Sequence, residues 1–118
     1  MQQPRENIAL AFAQFLIDKQ FLAAYQLLSA SAQLKISLAD LEKNYLAMVG
    51  YFKTPANHVE VIEVLSDWPS KVVDDLAWVY VSIDNKISDA EAVRVTLESC
   101  QANAEKSVTI RSIEWGRP

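Results

Sequence analysis

The chain has 118 residues, 51% hydrophobic and 22% charged, with a formal net charge of −4. That is enough for one domain, residues 1–118, to bury a core without disulfides or metal, and the balance excludes a disordered chain. The acidic excess excludes a nonspecific grip on nucleic acid or anionic lipid, and one cysteine, Cys100, and one histidine, His58, exclude an intrachain disulfide and a multi-histidine or thiolate metal centre.

Pro4 suits the first position of a helix, and Glu6 sits where the helix dipole favours an anion. Ile8, Phe12, Phe15 and Leu16 mark one face of this helix, which is expected to end near Asp18 to Gln20. Its apolar run, Ile8 to Ile17, is short, contains Gln14 and is followed by Asp18-Lys19-Gln20 rather than a small-residue cleavage site, so no export signal is expected. No run approaches the ~20 apolar residues of a membrane span, and a cytoplasmic location is the expectation. A second helix carries Phe21, Ala24, Tyr25 and Leu28 and is expected to fade into Ser29-Ala30-Ser31-Ala32-Gln33. A third begins at Ser37, where Ser37 and Asp40 form an acidic variant of the capping box. Leu38, Leu41, Tyr45, Met48 and Phe52 make its apolar stripe, and Gly50 marks its end.

After Pro55 the period changes from helical to alternating. Four Val/Ile-rich segments, 58–68, 76–84, 92–100 and 108–115, are separated by short polar connections, which predicts four antiparallel strands. Two of them change phase midway: Val59 and Val61 give way to Ile62 and Val64, and Val108 and Ile110 to Ile113 and Trp115. Bulges near Val61-Ile62 and Arg111-Ser112 would return all these side chains to the core side and bend the sheet.

The helical part, IALAFAQFLIDKQFLAAYQLLSASAQLKISLADLEKNYLAM, together with the closing strand VTIRSIEW, resembles the NTF2-like superfamily. These are cone-shaped α+β domains that include the nuclear transport factor, ketosteroid isomerase and scytalone dehydratase types. The resemblance is one of layout and covers nearly the whole chain. Many relatives have a glycine in the break between the first two helices, where this chain has Asp18-Lys19-Gln20. It implies three N-terminal helices packed on a strongly bent antiparallel sheet, with an apolar cavity bounded by Phe12, Tyr25, Tyr45, Phe52 and Trp115 and with His58 near the rim. Trp78 and Tyr80 alternate with the core valines and are expected to project from the outer sheet face beside Arg94 and Thr96, large aromatics with the composition of an interface core, and the resemblance implies a homodimer formed through that face.

In the isomerase branch an early-helix tyrosine stabilises a developing oxyanion, which makes Tyr25 or Tyr45 the candidate donor and His58 or Glu63 the candidate base. The inward strand positions argue against catalysis. Ala77, Val79, Val81, Ile83, Val93, Val95 and Leu97 carry no titratable group. Cys100 reads as packed and inert, and Asp74, Asp75 and Asp84 as solvated turn residues without calcium-loop spacing. Gly116 relaxes the backbone after the last strand. The expectation is a non-catalytic domain that engages a protein partner or a small apolar ligand in the cone, without cofactor or metal. Its small acidic form resembles the immunity proteins of this fold, whose surface would suit a basic partner. The alternative is a cofactor-free isomerase, dehydratase or hydrolase acting on a hydrophobic small molecule.

Overall fold

Pro4 opens α1 (Pro4–Ile17), and the computed structural model describes residues 4–87, 89–102 and 105–116. Asn103, Ala104, Arg117 and the side chain of Cys100 lie outside the described residues. α1 is apolar around most of its circumference, the composition of a helix that is buried rather than laid on a surface. Ala9, Phe12, Ala13 and Leu16 are fully buried, while Ile8, Leu10, Phe15 and Ile17 pack against the same cluster. The buried stripe is therefore wider than the expected one, and its two alanines let the helix axis come close to the sheet.

α1 ends in a Schellman turn. The Gln20 N–H donates to the Phe15 carbonyl at 2.9 Å and the Lys19 N–H to the Leu16 carbonyl at 3.0 Å. That motif needs a left-handed residue at the position of Lys19, whose φ is 60°. α2 (Phe21–Tyr25) is a short turn of helix. The segment expected to fade out is instead α3 (Ala30–Lys35), so the described residues hold four helices rather than three. A local cap and a pair of long-range backbone bonds override the weak propensity of its serines. The Ser29 hydroxyl caps it by accepting from the Ala32 N–H at 3.1 Å, and Ser29 and Leu27 bond through their backbones to Ile110 at 2.8 and 3.0 Å. α4 (Leu38–Val49) begins at the expected capping box, Ser37 with Asp40.

The strands are β1 (His58–Leu65), β2 (Asp75–Asp84), β3 (Ala90–Ala102) and β4 (Glu105–Trp115). They form an antiparallel sheet in the order β1-β2-β3-β4. β1 stops short of Trp68, and β3 and β4 run longer than expected. Val61 pairs with Val81 and Glu63 with Tyr80, so Ile62 is the extra residue of a bulge. It is 58% exposed, a correction to its expected return to the core. Thr96 pairs with Ser112 and Leu97 with Ile110, which makes Arg111 the second bulge, at the expected place. A third irregularity at Leu76, between Asp75 and Ala77, was not foreshadowed by the alternation.

All seven inward positions, from Ala77 to Leu97, are fully buried, and α1 packs against all four strands. That face of the sheet carries one contiguous cluster of buried helix and strand hydrocarbon. Asp75 and Asp84 are not solvated turn residues. Asp75 is withdrawn from water beneath Arg111, with Nε–Oδ1 at 2.7 Å and Nη2–Oδ2 at 2.8 Å. Asp84 is paired with His58. At Gly116, φ is 97°, the left-handed region in which glycine is unstrained.

The β2–β3 turn is organised by Asn85, only 1% exposed. Its side-chain oxygen accepts from the Ile87 and Asp89 N–H groups, and its amide donates to Asp89 and, at 3.1 Å, to the Thr54 carbonyl of the segment after α4. Asn85→Ala should lower unfolding free energy by about 2 kcal/mol in urea denaturation, because several buried partners lose their hydrogen bonds. A loss below about 0.5 kcal/mol would mean that water replaces them.

Candidate functional site

α4 stands between two surface grooves. On one side Asn44, Met48 and Tyr51 face Glu91 and Trp115 across a recess of about 440 Å³. The Tyr51 hydroxyl reaches the Ala90 carbonyl at 3.0 Å and the Glu91 carboxylate at 2.8 Å, so this recess is braced by its own polar groups. On the other side, the end of α1, the last two turns of α4 and residues 52–56 enclose about 320 Å³. Its apolar wall includes Tyr45, Leu46, Val49 and Phe52, and Lys19 and Lys53 stand at it.

Local sequence explains the second groove. Tyr45 and Val49 are one turn apart on α4, and Pro55 keeps the following segment extended. Phe21 of α2 packs on Tyr45 with ring centroids 5.9 Å apart, and Tyr51 meets Phe52 edge-on at 5.1 Å. The outer wall is pinned to the sheet at four places. The Asp89 carboxylate accepts the Lys53 N–H at 3.0 Å, Asn85 holds Thr54, Tyr51 holds Ala90, and the Asn57 N–H donates to the Asp84 carbonyl at 2.9 Å. Tyr45 is 3% exposed, and burial, with the nearby Asp18 charge adding to it, pushes its phenol up to about 12. It stays protonated across the physiological range.

Of the six expected cavity residues, Tyr45 and Phe52 share this groove and Trp115 lines the other. Phe12 is fully buried in the core. Tyr25 directs its hydroxyl to the carbonyls of Gln33 and Ile36, at 3.0 and 2.9 Å, and so closes the end of α3. His58 and Asp84 alternate with Val59 and Ile83, which pack inward, so this pair lies on the face away from the helices.

There His58 Nδ1 lies 3.0 Å from the Asp84 carboxylate, which also accepts from Ser82 at 3.3 Å. Burial acts to raise the Asp84 carboxyl, but the hydrogen bonds from His58, the Lys86 N–H and Ser82, with the His58 charge, hold it below the usual range. Ser82 and His58 share one carboxylate, so the hydroxyl is not in line to lose its proton to the imidazole. Glu63 is exposed beside the bulge. The expected tyrosine donors and the His58 base thus stand on opposite faces of the sheet.

On that outer face the expected interface residues do gather. Trp78 and Tyr80 stack at 6.2 Å, Arg94 covers Trp78 at 5.6 Å, and Arg94 pairs with Glu114 at 2.7 Å. Tyr80 and Thr96 are only 9% and 5% exposed within the single chain, so the patch open to a partner is narrower than the alternation implied. Among the described residues no group of three or more His, Cys, Asp or Glu side chains could hold a metal ion, and no helix is long and apolar enough to cross a membrane. Sequence reasoning found Tyr45 and Phe52 through the α4 stripe, but missed Lys19 and Lys53, whose charges carry no periodic signal. No family model matches the chain, and no curated protein or solved structure matches it either.

Proposed function

We propose that this chain is a non-catalytic binding domain of the NTF2-like type, and that the groove beside Tyr45 and Phe52 receives an apolar group. The observation that carries the reading is the pinned outer wall of that groove, tied to the sheet through Lys53, Thr54 and Asn57. A groove held open by hydrogen bonds is ready to bind and loses little freedom when a ligand arrives. The helices on one face of an antiparallel meander, with bulges at Ile62 and Arg111, support the fold assignment. Binding is favoured over catalysis because the tyrosine hydroxyls and the His58 imidazole do not converge.

N-phenyl-1-naphthylamine, a neutral aromatic probe whose fluorescence rises in apolar sites, tests the reading. The protein should bind it saturably, one per chain. Leu46→Asp should weaken that binding about five-fold. Leu46 is 41% exposed, so the variant should keep the wild-type circular dichroism spectrum. Absence of saturable binding, or equal binding by the variant, would remove the groove from consideration.

A further inference from the structure

We propose that this groove selects small organic anions, with an aromatic or aliphatic body against Tyr45, Val49 and Phe52 and a carboxylate or sulfonate head between Lys19 and Lys53. This rests on the groove binding apolar groups, and adds the charge of what it binds.

The chain has 15 Asp and Glu against 11 Lys and Arg, yet the residues lining this groove include two lysines and no carboxylate. Among the described residues the ion pairs are His58–Asp84, Arg94–Glu114 and Arg111–Asp75, and neither lysine belongs to one. The acids nearby, Asp18 and Asp89, keep their charge but accept from donors other than the two ammonium groups. Asp18 accepts from the Gln14 amide at 3.2 Å, and Asp89 accepts from the Lys53 N–H and from Asn85. Two ammonium groups left without ion pairs at an apolar recess complement an amphipathic anion, and their aliphatic stems extend the wall around its body.

Lys19 occupies the left-handed position of the Schellman turn, φ 60°, where glycine fits without steric cost. The turn requires the left-handed backbone but not a side chain, so a lysine bears a strain that glycine would avoid, and it places an ammonium-bearing side chain at the groove. A neutral apolar ligand would have no use for that cation.

The test compares two probes with the same rings: 8-anilinonaphthalene-1-sulfonate and its sulfonate-free counterpart, N-phenyl-1-naphthylamine. At low salt the sulfonate should bind about ten-fold more tightly, and the preference should shrink as salt is added. Lys19→Gln and Lys53→Gln should each weaken the sulfonate about three-fold and leave the neutral probe unchanged. Lys19→Gly should lose the same three-fold while melting no lower than wild type, because the left-handed strain is relieved. Amide shifts on adding the sulfonate should centre on Gly50 and Ala56. Equal affinity for the two probes, a loss shared by both probes in the lysine variants, or shifts centred elsewhere would overturn the anion selection. If neither probe binds saturably, the groove reading fails with it. If the neutral probe alone binds, that reading stands and only the charge assignment falls.

Discussion

Phe12→Ala is expected to lower unfolding free energy by about 4 kcal/mol, the largest effect of any single change considered for this chain. Phe12 is fully exposed in no direction: it has 0% solvent exposure and belongs to the cluster that joins α1 to the inward strand residues. Truncating it removes the transfer free energy of the ring and leaves a void that rigid strands on one side cannot close. A second consequence separates a core from a pocket. The void would be lined by hydrocarbon, would stay dry, and should admit a guest the size of benzene. Benzene should therefore raise the melting temperature of the variant and leave that of the wild type unchanged, since only a ligand that binds the native state stabilises it. A cost below about 1 kcal/mol would instead place Phe12 at an open cavity, as the layout resemblance implied.

The contrast shows which parts of this molecule the sequence makes legible. Alternation located four strands and their inward sets because burial on one face leaves a period of two that no solvated strand would keep. Phase shifts located the bulges at Ile62 and Arg111 for the same reason, since each inserts one residue into an otherwise regular count. The capping box at Ser37 was legible because it needs two specific side chains three residues apart. What stayed hidden depends on contacts distant in sequence. α3 has a local cap in Ser29, but the bonds that anchor it run from Leu27 and Ser29 to Ile110, about eighty residues later, and local propensity carries no trace of those. Asp75 reads as a turn residue until Arg111 is placed above it. The groove was half legible: Tyr45 and Phe52 lie on a periodic stripe, while Lys19 and Lys53 meet them only after α1 stops and the segment beyond α4 folds back. Whether the inner face is cavity or core turned on Ala9 and Ala13, which let α1 sit close enough to fill it.

Arg111→Met is expected to cost about 3 kcal/mol at neutral pH, and to reverse the acid dependence of stability that Asp75 confers. In the native protein burial acts to raise the Asp75 carboxyl, but hydrogen bonds from Arg111 and the Val72 N–H, with the charges of Arg111 and Lys71, outweigh it and hold the group below its ordinary value of 3.8. A carboxylate whose folded pKa is lowered stabilises the native state above the unfolded pKa and loses that contribution as pH falls through the folded pKa. Wild-type stability should thus decline below about pH 3.8 on this account. Methionine keeps most of the arginine stem's volume but removes the guanidinium, leaving a carboxylate with 0% exposed side chain and only the Val72 hydrogen bond and the Lys71 charge to offset its burial. Desolvation then dominates, and the folded pKa rises above the unfolded one. Protonation now favours the folded state, so this group's penalty shrinks as pH falls towards 3.8 and is fully present above the raised pKa. Urea denaturation of both proteins at pH 7 and near pH 4 reads the difference directly, since the gap between them should narrow in acid. A gap that stays constant with pH would mean that Asp75 reaches water once Arg111 is gone, and that its burial belongs to the guanidinium rather than to the sheet. The latch matters for the fold because Arg111 is itself the bulge residue of β4 and Asp75 adjoins the irregularity at Leu76 in β2. Leu97 of β3 pairs with Ala77 on one side and Ile110 on the other, next to both register shifts, so the ion pair spans β3 where both its neighbours depart from regular register. Loss of Arg111 should therefore disturb the amide signals of both bulges together, whereas loss of Asn85 should disturb the β2–β3 turn and the groove wall and leave the bulges as they are.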